Sequence, residues 1–287
     1  MNKIINVFII IALILVSASC SSSKRKNAGD IFQLRIQSER LLESGNKEAA
    51  RGSYDNALIL LTESKRVATL ADDLSLISRT SLSRGNVLFS LGRREDAFAD
   101  WELAIAEARR LGNSELVSIS MIYQARGKLL SGDLSARSVV DEVDREQSNI
   151  KSNRLYIAFS WQVKGLALRS LASYREAEDA VMKSLEIHEK DGYLENASYD
   201  WYTIASIRSL SGNIQGALDA LQKSIEIDRR IENTWGLASG WRAMGDVYRR
   251  AGRLQNAEES YRRALAIYAA AGNEHEVSET EKRIREL

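Results

Sequence analysis

His188, His275 and Cys20 are the only histidines and the only cysteine of the chain, so metal binding or nucleophilic chemistry would have to start from them. A zinc site takes three or four such ligands, and a triad needs a base oriented by a third group. His275 stands between Glu274 and Glu276. Immediate neighbours on a helix point to different faces, so these three do not converge on one ion. His188 lies between Glu186-Ile187 and Glu189-Lys190, at the end of a charge-rich stretch. Both histidines read as surface residues. A lone cysteine excludes an intramolecular disulfide. Gly212 and Gly216 have the spacing of a turn followed by a helix start, not of a phosphate-binding loop. The sequence therefore predicts no enzyme, no cofactor and no metal. A formal net charge of +1 gives no reason to expect nucleic acid.

The elements that would position any functional group are helical. The chain contains no proline, 28% of its residues are charged, and no long window alternates as a strand would. Trp241, Met244, Gly245 and Tyr248 recur at i, i+3, i+4 and i+7, one stripe of a helix. Gly252 interrupts, and Ala257, Tyr261 and Ala264 form the stripe of a second helix before Gly272-Asn273. Two helices about a tight glycine turn make a hairpin, with small residues where the axes approach and aromatic rings filling the space around them.

That hairpin repeats every forty residues. Gly245 maps to Ala205, Gly165, Ala125, Gly85 and Gly45, and Gly252 maps to Gly212, Ala172, Gly132, Gly92 and Gly52. Ala257 maps to Ala217, Ala177, Arg137, Ala97 and Ala57, and Trp241 maps to Trp201 and Trp161. At Arg137 a shift of one residue brings Ala136, Val140 and Val143 into the pattern, which predicts a third turn one residue shorter. The acidic helix that follows, Asp133 to about Gln147, is the expected weak joint. Stop and start signals fall at Gly112-Asn113, Asp191-Gly192, Asn233-Thr234 and Gly272-Asn273. Residues 274–287 carry Val277, Ile284 and Leu287 among many charges, as a terminal cap should.

The order Trp241, Met244, Gly245, Tyr248, Ala257, Tyr261 resembles the tetratricopeptide repeat, with Met for Leu and Tyr for Phe. The resemblance implies an all-α superhelix of six hairpins plus a C-terminal capping helix over residues 31–287. The six residues beyond the usual period of 34 are expected to lengthen the helices and, slightly, the loops. In this family the first helix of each hairpin lines a concave face. Carried along the array, the offsets of Ser239, Arg242, Asp246, Arg249 and Arg250 give a candidate groove. It comprises Arg79, Asn86, Phe89, Ile122, Arg126, Phe159, Gln162, Arg169, Tyr199, Tyr202, Arg242, Asp246 and Arg249. Arginine forks and rigid aromatic rings suit an acidic or extended peptide, or the surface of a folded partner. The structural alternative is that some rings pack between first helices and some arginines pair with nearby acids. The carboxylate clamp of peptide-binding relatives is incomplete, because Asn46 is present but Leu42 stands where a lysine is wanted. Trp161, Trp201, Trp241 and Trp101 are expected in the core, and Trp235 as a hydrophobic staple at the start of the sixth hairpin.

Ahead of the repeats, Lys3 precedes a run from Ile4 to Val16 that is apolar apart from Asn6, too short to span a bilayer but suited to a signal peptide. Ser17-Ala18-Ser19-Cys20 resembles the lipobox of bacterial lipoproteins, with Ser17 in place of the usual Leu. The expected organisation is a leader at 1–19, a lipidated tether at 20–30 beginning with Cys20, and the solenoid. The implied location is the outer membrane facing the periplasm, and the implied role a scaffold for another envelope protein or peptide. An accessory of a solute-transport system and an assembly factor for envelope machinery stay open beside it.

Overall fold

The computed structural model describes residues 28–287, and all regular structure among them is helical. Hairpin one joins α1 (Ala28–Ala50) to α2 (Tyr54–Leu70), and hairpin two joins α3 (Leu74–Ser90) to α4 (Arg94–Arg110). Hairpin three is α5 (Ser114–Ser131) with α6 (Ala136–Gln147), and hairpin four is α7 (Arg154–Ser170) with α8 (Tyr174–Asp191). Hairpins five and six are α9 (Leu194–Leu210) with α10 (Ile214–Arg230), and α11 (Thr234–Arg250) with α12 (Leu254–Ala270). A final helix, α13 (Glu274–Arg285), closes the array. The expected leader and most of the expected tether, Cys20 included, lie outside the described residues.

Typical helices have 17 residues and are separated by three-residue turns such as Leu91-Gly92-Arg93, so the long period is absorbed by the helices. Two local devices repeat with it. Asp73, Asn113, Asn153, Asn233 and Asn273 each accept a hydrogen bond from the backbone N–H three residues on, capping α3, α5, α7, α11 and α13. The turn within each hairpin holds one left-handed residue, glycine in five cases and Ala172, at φ 55°, in the sixth. Inside the hairpins the small column sets axis separation: a Cβ on Gly245 would lie 2.5 Å from the Tyr261 ring. Trp101, 2% exposed, is seated between Gly85 and Gly127 and donates its indole N–H to Asn86 Oδ1 at 3.0 Å.

Hairpin three departs from the expected geometry. Its turn is not shortened. Gly132 keeps its register, but α6 starts two residues later than the period demands, so Val139 takes the buried place held by Ala257 in hairpin six. The Ser135 side chain caps the delayed start. Being only 12 residues long, α6 is followed by an irregular segment, 148–153, that restores the period. Glu115 staples that segment: its Oε1 accepts the N–H groups of Lys151, Ser152 and Asn153 at 3.0, 2.9 and 2.9 Å, and its Oε2 accepts the Ser152 hydroxyl. Burial acts against ionisation, yet these hydrogen bonds prevail and hold the Glu115 carboxyl below the usual range.

The apolar stripes merge into one core running from Leu82 to Val247, with smaller clusters at the two ends. This is the sharing of buried surface between stacked repeats that single hairpins cannot achieve alone. Trp201 is buried, while Trp161 and Trp241 are half-buried and packed on the core. Each ring of this column carries a cation: Lys183 over Trp161 at 4.1 Å, Lys223 over Trp201 at 3.9 Å and Arg263 over Trp241 at 4.5 Å. At the C-terminal end α13 buries Thr280 and half-buries Val277 and Ile284 against the last hairpin, with Glu276 and Arg283 turned inward to pair with α11 and its other charges exposed.

Candidate functional site

The first helices of all six hairpins face one cavity of about 770 Å³. Each contributes a stripe at helical spacing: Arg79, Leu82, Ser83 and Asn86 from α3, Leu155, Tyr156, Phe159 and Gln162 from α7, and Glu195, Asn196, Tyr199 and Tyr202 from α9. Leu42, Asn46 and Ala50 of α1 share the lining with Trp235, Ser239 and Arg242 of α11. The array therefore curls far enough for its first and last hairpins to meet around the same space.

Of the residues expected in the groove, Arg79, Asn86, Arg126, Phe159, Gln162, Tyr199, Tyr202 and Arg242 line this cavity. Five others are placed elsewhere. Ile122 is 0% exposed and belongs to the core, and Phe89 packs on Trp101 with ring centroids 5.6 Å apart. Arg169 donates to the Ser206 hydroxyl at 3.1 Å. Asp246 accepts the Tyr261 hydroxyl and Arg283, both at 2.7 Å, and so fastens α13. Arg249 is exposed but outside the lining. Ile122 and Phe89 lie on the packing side of their helices, whereas for Arg169, Asp246 and Arg249 the reason is curvature: the N-terminal halves of the later first helices turn inward, while their C-terminal ends swing away.

The same curvature brings in residues that the offsets missed, namely Tyr123, Tyr156, Glu195, Asn196, Asp228 and Trp235. Trp235 is not a staple, since its side chain stands 49% exposed at the cavity. A signal for part of this set was present, because Tyr156, Asn196 and Gly236 share one forty-residue column.

Aromatic rings occupy the middle of the cavity. Tyr123 and Phe159 stack with centroids 3.9 Å apart, and Tyr199 and Tyr202 lie nearly parallel at 6.4 Å. Burial pushes the Tyr123 phenol up to about 12 and raises those of Tyr156 and Tyr202, so all three remain hydrogen-bond donors at neutral pH. Toward α3 and α5 the charge is positive. Arg79 is paired with Glu39 at 2.8 Å, whereas Arg126 makes no hydrogen bond or ion pair among the described residues. Toward α9 and α10 it is negative. Asp228, buried, accepts from the Asn233 amide at 2.8 Å, and burial raises its carboxyl above the usual range. The Glu195 carboxyl is raised by burial and by Asp228, with Arg51 of the first hairpin opposing. Arg242 pairs with Glu276 of the closing helix.

His188 corrects the surface assignment made for it. It is 1% exposed, and its Nδ1 lies 2.6 Å from Oδ2 of Asp200, itself 0% exposed. The same carboxylate accepts the Ser184 hydroxyl at 2.9 Å and, through Oδ1, the Gln162 amide at 2.8 Å. Serine, histidine and aspartate thus meet, but all three are sealed from solvent and the serine donates to the aspartate rather than to the histidine. The cluster ties α7, α8 and α9 together; it offers no path to a substrate. His275 is exposed. Among the described residues no group of three or more His, Cys, Asp or Glu is placed to hold a metal, and no helix is long and apolar enough to cross a membrane.

Residues 193–270, the last two hairpins, match the family described as Tetratricopeptide repeat. No curated protein matches the chain significantly. Among solved structures the chain is similar to BtubC (BKLC) from P. vanneervenii, at 16% identity and a TM-score of 0.58, covering 83% of this chain and 93% of that one. It is similar to a Rap protein in complex with competence and sporulation factor, at 11% identity and a TM-score of 0.62, covering 91% and 79%. A third neighbour is PilW, a type IV pilus biogenesis factor, at 13% identity and a TM-score of 0.53, covering 84% and 96%. The fold is thus a tetratricopeptide-repeat-like solenoid.

Proposed function

We propose that this solenoid is a scaffold that holds a segment of a partner protein in the cavity enclosed by its six first helices. The observation that carries the reading is a preformed, aromatic-lined space with an unpaired cation, Arg126, among rings already stacked in place. Rigid rings contribute contact area at low entropic cost, and a preformed wall avoids the cost of ordering it on binding. A Rap protein of the same fold has been solved in complex with another factor, which supports the same kind of use.

In this reading Cys20 carries a lipid anchor that holds the scaffold at the cell envelope, with the outer membrane facing the periplasm as the expected site. Anchoring raises the local concentration of any complex formed there. A cavity closed around by all six first helices is also what a solute-transport accessory would present, so that function stays beside the scaffold. The likeness to a pilus biogenesis factor gives assembly of envelope machinery a specific observation in its support.

Photo-crosslinkers at Tyr202 and Arg126 should capture one partner in cells, and crosslinkers at Glu258 on the outer face should not. Capture from Glu258 alone would overturn the cavity as the binding surface. Radiolabelled lipid should enter the wild-type chain and not Cys20→Ala; equal labelling of both would remove the anchor.

A further inference from the structure

The two ends of the cavity differ in the hydrogen bonds they have left to give. Around α3 and α5 the free charge is a cation, and the polar groups beside it each have a donor to give. Trp101 Nε1 can only donate, so the Asn86 oxygen must face it, which leaves the Asn86 NH₂ for the cavity. The Tyr123 and Tyr156 phenols stay protonated, and the Arg126 fork is unpaired among the described residues. At the α9–α11 end the free charge is a carboxylate. Glu195 has no hydrogen-bond or ion-pair partner among the described residues, the Asp228 carboxyl acts on it more strongly than the opposing Arg51, which is itself paired with Glu48, and the Trp235 indole lines the same space half-exposed.

Resting on the reading that the cavity is a docking site, we infer that its occupant is a bipolar peptide segment. An acidic group meets Arg126, and a lysine or arginine side chain meets Glu195 against the Trp235 ring. A guanidinium fork surrounded by neutral donors matches a carboxylate in charge and in geometry. A carboxylate beside an indole face matches an alkylammonium or guanidinium. Like charges at either end would leave a partly desolvated group unpaired, so the layout also fixes the direction in which the segment lies. Length argues for a peptide. Arg126 and Glu195 stand two first helices apart and eleven places apart in the forty-residue register; axes at about 8–10 Å and a rise of about 1.5 Å per residue put them roughly 23–26 Å from one another. A single amino acid cannot bridge that gap, whereas about seven residues of extended chain can.

The test is selection of random twelve-residue displayed peptides on the immobilised full chain, followed by fluorescence anisotropy with the best enriched sequence. Enriched peptides should pair an Asp, Glu or free C-terminus with a Lys or Arg about six to eight residues away. Neutralising either charge should weaken binding about tenfold. Amidating the C-terminus distinguishes a terminal from a side-chain carboxylate. Arg126→Gln should abolish the dependence on the acid while leaving that on the base, and Glu195→Gln the reverse, with circular dichroism unchanged. Peptides that bind the wild type but not the cavity-filled Asn196→Trp, with no preference for charge, would overturn the bipolar segment and leave the docking site standing. A charge preference untouched by both neutral variants would also overturn it. Peptides that bind Asn196→Trp as well as the wild type, or no enrichment at all, would overturn both readings.

Discussion

Replacing Glu115 by Ala removes the carboxylate that staples residues 151–153 of the segment restoring the forty-residue period after the short α6. Its carboxylate accepts three backbone N–H groups and one hydroxyl from residues 151–153. A hydrogen bond to a charged group is worth about 1.5–3 kcal/mol net when buried. The donors here are exposed and regain water on mutation, so about 1 kcal/mol for each backbone N–H is the appropriate scale, and the expected loss is roughly 2–3 kcal/mol. Glu115→Gln keeps an acceptor oxygen without the charge and should lose about half of that. For a chain of this size the Ala variant should melt about 5–10 °C lower if unfolding is cooperative. Amide hydrogen exchange reads the effect where it arises: the N–H groups of residues 151–153 should lose protection, while those of α11 and α12 keep theirs. The same contact is sensitive to pH. The folded-state pKa of Glu115 lies below its unfolded value, so its contribution is fully present above the unfolded value, near 4.3, and is lost as pH falls through the folded one. The Gln variant should lack that increment of acid sensitivity. An Ala variant within about 0.5 kcal/mol of the wild type, with residues 151–153 still protected, would refute the reasoning.

Ala172 holds a left-handed conformation that the other five intra-hairpin turns assign to glycine. Ala172→Gly should stabilise the chain by about 0.5–1 kcal/mol, the relief of strain exceeding the added freedom of the unfolded chain; a lower midpoint in urea would contradict this. Asp200→Ala should cost about 3–5 kcal/mol, because the buried donors on His188 and Ser184 and the amide of Gln162 lose their common acceptor. A urea-unfolding loss below about 1 kcal/mol would mean that water or a rearranged Gln162 satisfies the cluster.

Much of this architecture is written in residue types at fixed spacing. Glycine or alanine at position 245 and its equivalents, the turn column at 252 and the stripe of Trp241 define hairpins because burial on a helix follows local periodicity. Column logic extends further than the reading of His188 took it. His188 shares a forty-residue column with Ala68, Ala108, Asp228 and Tyr268, all buried, and in the two-residue shift of hairpin three with buried Ile150 in place of exposed Ser148, so its position outweighed the charges beside it. Flanking glutamates describe the neighbouring faces of a helix and not the face that carries the residue.

Hairpin three shows the converse. Its composition marked a weak joint, but the sense of the irregularity depended on where Val139 could reach the core and on Glu115 folding back over a segment nearly forty residues away. The cavity is equally non-local. Each hairpin adds a small rotation to the last, and the accumulated turn decides that Trp235 and Glu195 face Asn46 while Asp246 and Arg249 do not. Outside hairpin three, spacing alone determined which residues form helices, since that is settled within a few turns of chain. Which exposed side chains converge on a common space is a sum over six stacked interfaces, and only the tertiary structure performs that sum.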